Sequence, residues 1–312
     1  MSEYNLETPV ALCVFNRPQT TRRVFDRVAQ AEPPELYVIA DGPRSDVPGD
    51  ERRVEEVRDI VTAVNWDCEL QTNFAETNLG VKERFATGLS WVFEDVDEAI
   101  ILEDDCLPHL DFFRFCERML EMYRGDERVM DVTGTNAQKR WKDDRQDYHF
   151  SFHGLIWGWA TWDDAWDEYD PEMSLWDNPE LRERVRDVVA DDAQYRYTKR
   201  LYDDVYRGEL DTWDYQWGFA RQRNSGLSVV PSRNLVTNIG FESGTFHEDA
   251  EGDPRANLPT HGLDFPIERN PFVAPDREYD RRYHDMRAPF WYNSEILTKL
   301  RDYTLSFLRT LE

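Results

Sequence analysis

The sequence predicts an α/β fold: a mostly parallel sheet with helices on both faces, followed by an elaborated C-terminal lobe. Three observations carry this. Short, largely apolar runs recur at Pro9–Phe15 (PVALCVF), Glu35–Ala40 (ELYVIA) and Ala99–Leu102 (AIIL), the mark of strands covered on both faces. Segments with helical spacing separate them, and a crossover helix is what parallel pairing requires. Turn residues or carboxylates stand directly after the second and third runs.

Taken in order, Pro9–Phe15 is the first strand. Pro18–Gln30 follows as a helix, with Pro18 in its first turn and Val24, Phe25 and Val28 on one face. Glu35–Ala40 is the second strand, closed by the turn signal Asp41-Gly42-Pro43. Glu51–Val64 is a charged amphipathic helix, Leu70–Phe74 a third strand, and Leu79–Phe93 a helix begun at Asn78. Ala99–Leu102 is the fourth strand, and this alternation reads as a Rossmann-like half. Phe112–Tyr123 is expected to be helical and Val129–Val132 to be a strand. Residues 148–176 are dense in Trp. Pro179–Tyr206 reads as helix with a break at Asp191-Asp192, Asp211–Arg223 as helix and Leu227–Pro231 as strand. Arg255–Pro289 reads as irregular, and Ile296–Leu311 as a closing amphipathic helix packed on the domain.

The chain has 312 residues, with 63 acidic against 37 basic side chains, a formal net charge of -26. With 40% hydrophobic and 13% aromatic residues it can bury a sizeable core, which excludes intrinsic disorder. Its charge argues against nucleic-acid partners, since phosphates would be repelled. Only five basic residues are Lys (82, 139, 142, 199 and 299). Acid-rich, Lys-poor composition is expected of a halophilic protein, for which screening shrinks self-repulsion and negative charge preserves solubility. Cys13, Cys68, Cys106 and Cys116 show no metal-site spacing and are expected to be reduced thiols in a cytoplasmic protein. The N-terminus lacks a basic and apolar leader, and no apolar run approaches the ~20 residues that span a bilayer.

Glu103-Asp104-Asp105 is the sharpest chemical feature. Three carboxylates follow a buried strand, where open α/β sheets bind ligands, and such oxygens favour hard cations such as Mg²⁺ or Mn²⁺. In so acidic a chain a solvated loop is the competing reading. Asp41-Gly42 repeats the pattern one strand away, although Asp-Gly-Pro is also good turn chemistry. Lys82 and Arg84 sit in the first turns of a helix, where cations oppose the dipole unless they face an anion.

These motifs, in this order, resemble the GT-A fold of nucleotide-sugar-dependent glycosyltransferases. They are Asn16-Arg17 after the first strand, Asp41-Gly42 after the second, Asn78-Leu79-Gly80 at a helix start, and Ile-Leu-Glu-Asp-Asp at 101–105. The chain is most similar to the family 2 type and to the N-acetylglucosaminyltransferase I type, whose metal motif also reads Glu-Asp-Asp. The resemblance covers residues 8–110 well, thins to about residue 250 and stops there. It implies a glycosyltransferase domain over 1–250, with a nucleotide-binding half at 8–110 and an acceptor half at 111–250, and a C-terminal extension at 251–312.

It further implies a nucleoside-diphosphate sugar donor held by Asn16, Arg17 and Glu103. Asp41 would meet the nucleobase, Lys82 or Arg84 the diphosphate, and Asp104 the ribose, while Asp105 would ligate Mn²⁺ or Mg²⁺. An inverting enzyme needs a base for the acceptor hydroxyl. Asp214 in Asp211-Thr-Trp-Asp214-Tyr-Gln-Trp-Gly-Phe-Ala-Arg221 is the candidate, with Asp211 second. The usual Glu-Asp pair is broken here by Trp213, and an N-terminal acid at a helix is an alternative reading. His247 is a candidate for the metal or diphosphate, and Trp157 and His153 for the sugar pocket. The acceptor would be a glycan or a lipid-linked saccharide, bringing the enzyme at most peripherally to the inner face of the cell membrane. Two other readings stand beside this one: a sugar nucleotidyltransferase, whose Gly-rich N-terminal loop is missing here, and a non-catalytic carbohydrate-binding protein using the Trp-rich segment.

Overall fold

The computed structural model describes residues 4–189, 191–243 and 255–287. The expected helix Ile296–Leu311 and the candidate His247 lie outside the described residues. The chain runs β1 (Val10–Val14), α1 (Pro18–Ala31), β2 (Glu35–Ala40), α2 (Asp50–Thr62), β3 (Glu69–Phe74), α3 (Val81–Phe93) and β4 (Glu98–Glu103). Next come β5 (Cys106–Pro108), α4 (Asp111–Tyr123), β6 (Val129–Thr133), β7 (Tyr148–Ser151), β8 (Trp159–Trp162) and α5 (Asp163–Trp166). Then follow α6 (Pro179–Val189), α7 (Asp192–Tyr206), α8 (Asp214–Arg223), β9 (Leu227–Pro231), β10 (Val236–Asn238) and α9 (Arg277–Arg287). No described helix is long and apolar enough to cross a membrane.

Among the described residues, eight strands form one sheet in the order β3-β2-β1-β4-β8-β6-β9-β7. From β3 to β4 every pair is parallel, as is β6 with β9, whereas β8 runs antiparallel between β4 and β6. The expected α/β class is therefore what the chain forms: a mostly parallel sheet with helices on both faces. Period 2 along the strands explains why both faces are covered. Val10, Leu12 and Val14 of β1 join Leu36 and Val38 in a core under α1, α2 and α4. Ala11 and Cys13 join Tyr37 and Ile39 in a second core under α3 and α8. β3 is one of the two edge strands, only partly covered (ELQTNF).

Local chemistry sets several boundaries. α1 starts on Pro18 and stops at Glu32 (φ 49°), just before Pro33-Pro34. The expected break at Asp191 is real: its carboxylate accepts from the Ala193 and Gln194 amides at 2.9 Å, capping α7. Two expectations are corrected. α8 starts at Asp214 and not at Asp211, and no side chain caps it. Trp213 is buried against Phe85 instead, rings 4.5 Å apart and stacked, so the chain turns into the core before the helix can begin. Arg255–Pro289 is not irregular throughout, because α9 lies within it. Asp276 accepts from the Glu278 and Tyr279 amides at 3.2 Å, and Tyr279 and Tyr283, one turn apart, are buried. That signature was present in the sequence beneath a dense layer of charge.

All four cysteines are free thiols, three of them buried. His149 on β7 is 3% exposed, touches the Tyr279 ring at 4.3 Å, and neither ring nitrogen has a hydrogen-bond partner. Burial pushes its pKa down from 6.5 to about 3. Between those values the unfolded chain holds a proton that the folded chain does not, so stability is lost as pH falls from 6.5 towards 3. Urea unfolding at successive pH values should show this as about 1.4 kcal/mol per pH unit. His149→Phe, which keeps the ring contact, should flatten the profile by that amount; an unchanged slope would refute the assignment.

Candidate functional site

The carboxyl ends of β1 and β4 are bound together by charge. Arg17, two residues beyond Phe15, donates to Asp104 Oδ1 at 3.0 Å and to Asp105 Oδ2 at 2.8 Å. The Phe15 amide donates to the other oxygen of Asp104 at 3.2 Å. Asp104 and Asp105 are 5% and 2% exposed. Asp104 is thereby a bracket between neighbouring strand ends, which a sequence reading of the triplet as a solvated loop would not produce.

Glu103 closes β4 with Oε1 buried and without a hydrogen-bond partner. Burial first, then the charges of Asp105, Asp104 and Asp214, hold its carboxyl well above the usual carboxylate range. Burial also raises Asp105 and brings Asp104 up to about 6, each against the pull of Arg17. Negative charge thus exceeds its compensation here, and the orphaned oxygen fits an added cation. Among the described residues no three His, Cys, Asp or Glu side chains are arranged to hold a metal ion by themselves. A divalent ion at this position would complete its shell from water and ligand phosphates, as Mg²⁺ commonly does.

A cavity of about 560 Å³ opens beside these carboxylates, in the range of small-ligand sites. Arg17, Glu103, Asp105, Asp211 and Asp214 all line it. The geometry therefore unites two motifs far apart in sequence, the end of β4 and the start of α8. Asp211 is exposed and Asp214 half-buried, and the Asp214 carboxylate accepts from the Thr212 hydroxyl. β10 pairs with β5 so that Asn238 sits opposite Cys106, and the Ile239 amide donates to the Asp105 carbonyl at 2.8 Å. That three-residue pairing brings Asn238 to the cavity wall.

Of the Trp-rich segment, Trp159 and Trp162 belong to β8 and to the core. Trp157 lines the cavity, with Arg255 over its ring at 5.4 Å. His153 lines it too, stacked on Tyr283 at 5.1 Å, and burial together with nearby guanidinium groups brings its pKa down to about 3.

The remaining expected donor residues lie off this cavity. Asn16 donates to the buried Asp50. The Asp41 carboxylate accepts from the Leu79 and Gly80 amides at 2.9 and 3.2 Å and from Asn78 Nδ2 at 2.8 Å. It stitches the β2 turn to the start of α3, where a Cβ on Gly42 would come within 2.4 Å of the Thr77 backbone. Lys82 reaches Glu172 at 2.7 Å near the surface. Arg84 is 6% exposed and donates to the Asn73 carbonyl and side chain under β3. Neither cation reaches the cavity, because the first turn of α3 aims one outward and the other beneath the sheet; the guanidinium beside the acids is that of Arg17. Sequence reasoning missed Tyr215, Tyr283 and Arg287, which also line the cavity. The only signal for the last two was the Tyr spacing of α9.

No known family profile and no curated protein matches the chain. Among solved structures, UDP-glucose pyrophosphorylase complexed with UDP-glucose aligns with a TM-score of 0.36 and 8% identity, over 75% of this chain and 95% of that chain. The apo form of a UDP-glucose pyrophosphorylase aligns at 0.34 and 8%, over 74% and 93%. The 4-diphosphocytidyl-2C-methyl-D-erythritol synthase from Anaerococcus prevotii aligns at 0.30 and 12%, over 54% and 77%. Likenesses this distant bear on neither substrate nor reaction.

Proposed function

We propose that this protein is a metal-dependent glycosyltransferase that moves a sugar from a nucleoside diphosphate to a glycan or lipid-linked acceptor, with inversion. The observation that supports this reading best is the convergence of Asp105 and Asp214 on one cavity. An acid cluster with an orphaned carboxylate oxygen and a separate half-buried carboxylate line the same cavity. Asp105, with Glu103 beside it, would hold Mn²⁺ or Mg²⁺, which supplies neutralisation of the leaving diphosphate. Arg17 orients the two aspartates and adds positive charge at the same end. Asp214 takes the proton of the acceptor hydroxyl. Trp157 offers a flat face to sugar C–H groups. In this reading residues 1–250 form the transferase domain and 251–312 a C-terminal extension.

The test is thermal unfolding in molar KCl with UDP or GDP, with and without Mn²⁺. A nucleotide that binds the folded state raises the melting temperature by mass action, and the rise is expected only when nucleotide and metal are both present. Asp105→Ala should remove it. If no nucleotide shifts the wild-type protein under any metal condition, the proposal fails. Release of pyrophosphate rather than a nucleoside diphosphate during turnover would instead identify a nucleotidyltransferase.

A further inference from the structure

Away from the acidic cluster, another part of the cavity wall changes sign. Arg287, the last residue of α9, lines the cavity half-buried. It donates to Tyr215 Oη at 2.9 Å and to Tyr283 Oη at 3.1 Å. Both partners are phenol hydroxyls, and among the described residues no carboxylate lies within ion-pair distance of its guanidinium. Arg221 on the same wall is different: Asp131 lies 3.3 Å away, and it also donates to Ser228 and to the Gly154 carbonyl. His153 brings no charge, being held neutral by burial. Asp214 acts on Arg287 only through space, so candidate base and cation face one cavity without touching.

A guanidinium has five donors in a planar fork suited to oxyanions. Here the hydrogen bonds to Tyr215 and Tyr283 leave donors over, in a cavity wall where an uncompensated cation is costly. The phenol hydroxyls can rotate to donate to the same anion. A chain with net charge -26 repels anions in general, so any anion admitted must meet a local cation. In the proposed reading the donor diphosphate is met by Arg17 and the cation at Asp105, whereas Arg287 is tied to Tyr215, the residue next to Asp214. We propose that Arg287, Tyr215 and Tyr283 form a subsite for an oxyanion carried by the acceptor, a phosphate or a carboxylate. Its assignment to the acceptor rests on the glycosyltransferase reading; the anion site itself does not.

Fluorescence of the cavity residues Trp157 and Trp213 can follow titration with inorganic phosphate, D-glucuronate and D-glucose at one fixed KCl concentration. Phosphate or glucuronate is expected to bind the wild-type protein saturably, and about tenfold or more weakly in Arg287→Gln. Arg287→Lys should keep part of the affinity, which guards against a folding defect in the Gln variant. Glucose should not distinguish the variants. Binding of phosphate alone points to a phosphorylated acceptor, and of glucuronate alone to a sugar acid. Equal anion affinity in wild type and Arg287→Gln overturns the proposal, as does the lack of saturable anion binding. UDP with Mn²⁺ should bind Arg287→Gln as it binds wild type; joint loss of UDP and anion binding would place Arg287 in the donor site and overturn it too. Anion binding in a protein that never binds UDP with Mn²⁺ would remove the transferase reading and leave the anion site standing.

Discussion

Replacing Asp214 by Asn is expected to lower kcat by about 10²–10⁴-fold, the usual contribution of a positioned general base. The amide is nearly isosteric and can still accept from the Thr212 hydroxyl, so α8 should start where it does now. What is lost is the ability to take a proton at the cavity wall. Donor affinity, read as the Mn²⁺-dependent shift with nucleotide, should hold, because the end proposed to take the cation is built from Arg17, Glu103 and Asp105. Glu103 feels the charge of Asp214, so the substitution should also ease ionisation of Glu103. Asp211→Asn is the paired control, since Asp211 lines the same cavity from an exposed position. Wild-type turnover in Asp214→Asn would strip that residue of its role, and a large loss in Asp211→Asn alone would transfer the role there.

The largest stability effect is expected at Asp131 in β6. Its carboxylate lies 3.3 Å from Arg221 and accepts from Trp217 Nε1 at 3.0 Å, with both ionic side chains 5% or less exposed. Asp131→Ala leaves the buried Arg221 guanidinium without its counter-charge and the Trp217 indole N–H without an acceptor between β6 and α8. The expected cost is about 3–5 kcal/mol, as for other buried pairs broken from one side. Denaturant unfolding in KCl measures it directly. Replacing both partners with apolar residues, Asp131→Leu with Arg221→Met, should recover most of the loss, because the desolvated charge disappears with its partner. A cost below about 1 kcal/mol in the single variant would mean that Arg221 finds compensation elsewhere.

The first third of the chain was legible because its signals are local. A short apolar run between turn residues carries the signal of a buried strand within itself, and β1, β2 and β4 match such runs. The break between α6 and α7 was legible for the same reason, since Asp191 caps the helix that follows it. β5, β8 and β10 were not. They are three or four residues long and exist only because a distant partner holds them. Trp157 and Trp159 look alike in sequence, yet a two-residue step on either side of Gly158 (φ 64°) separates a cavity wall from the core.

What the sequence by itself determined is the α/β class, the order of its first strands and helices, and the placement of Glu103-Asp104-Asp105 at the end of a buried strand. Those follow from hydrophobic period and turn chemistry, which each segment carries alone. Only the tertiary structure decided which of 63 acidic residues share a cavity. It selected Arg17 rather than Lys82 or Arg84 as their counter-charge and brought Arg287 to another part of the same wall. Convergence of polar side chains depends on how antiparallel strands and α9 close across long loops, and no local pattern encodes that. In a chain this acidic, position within the closed fold is what distinguishes a working carboxylate from a solvating one.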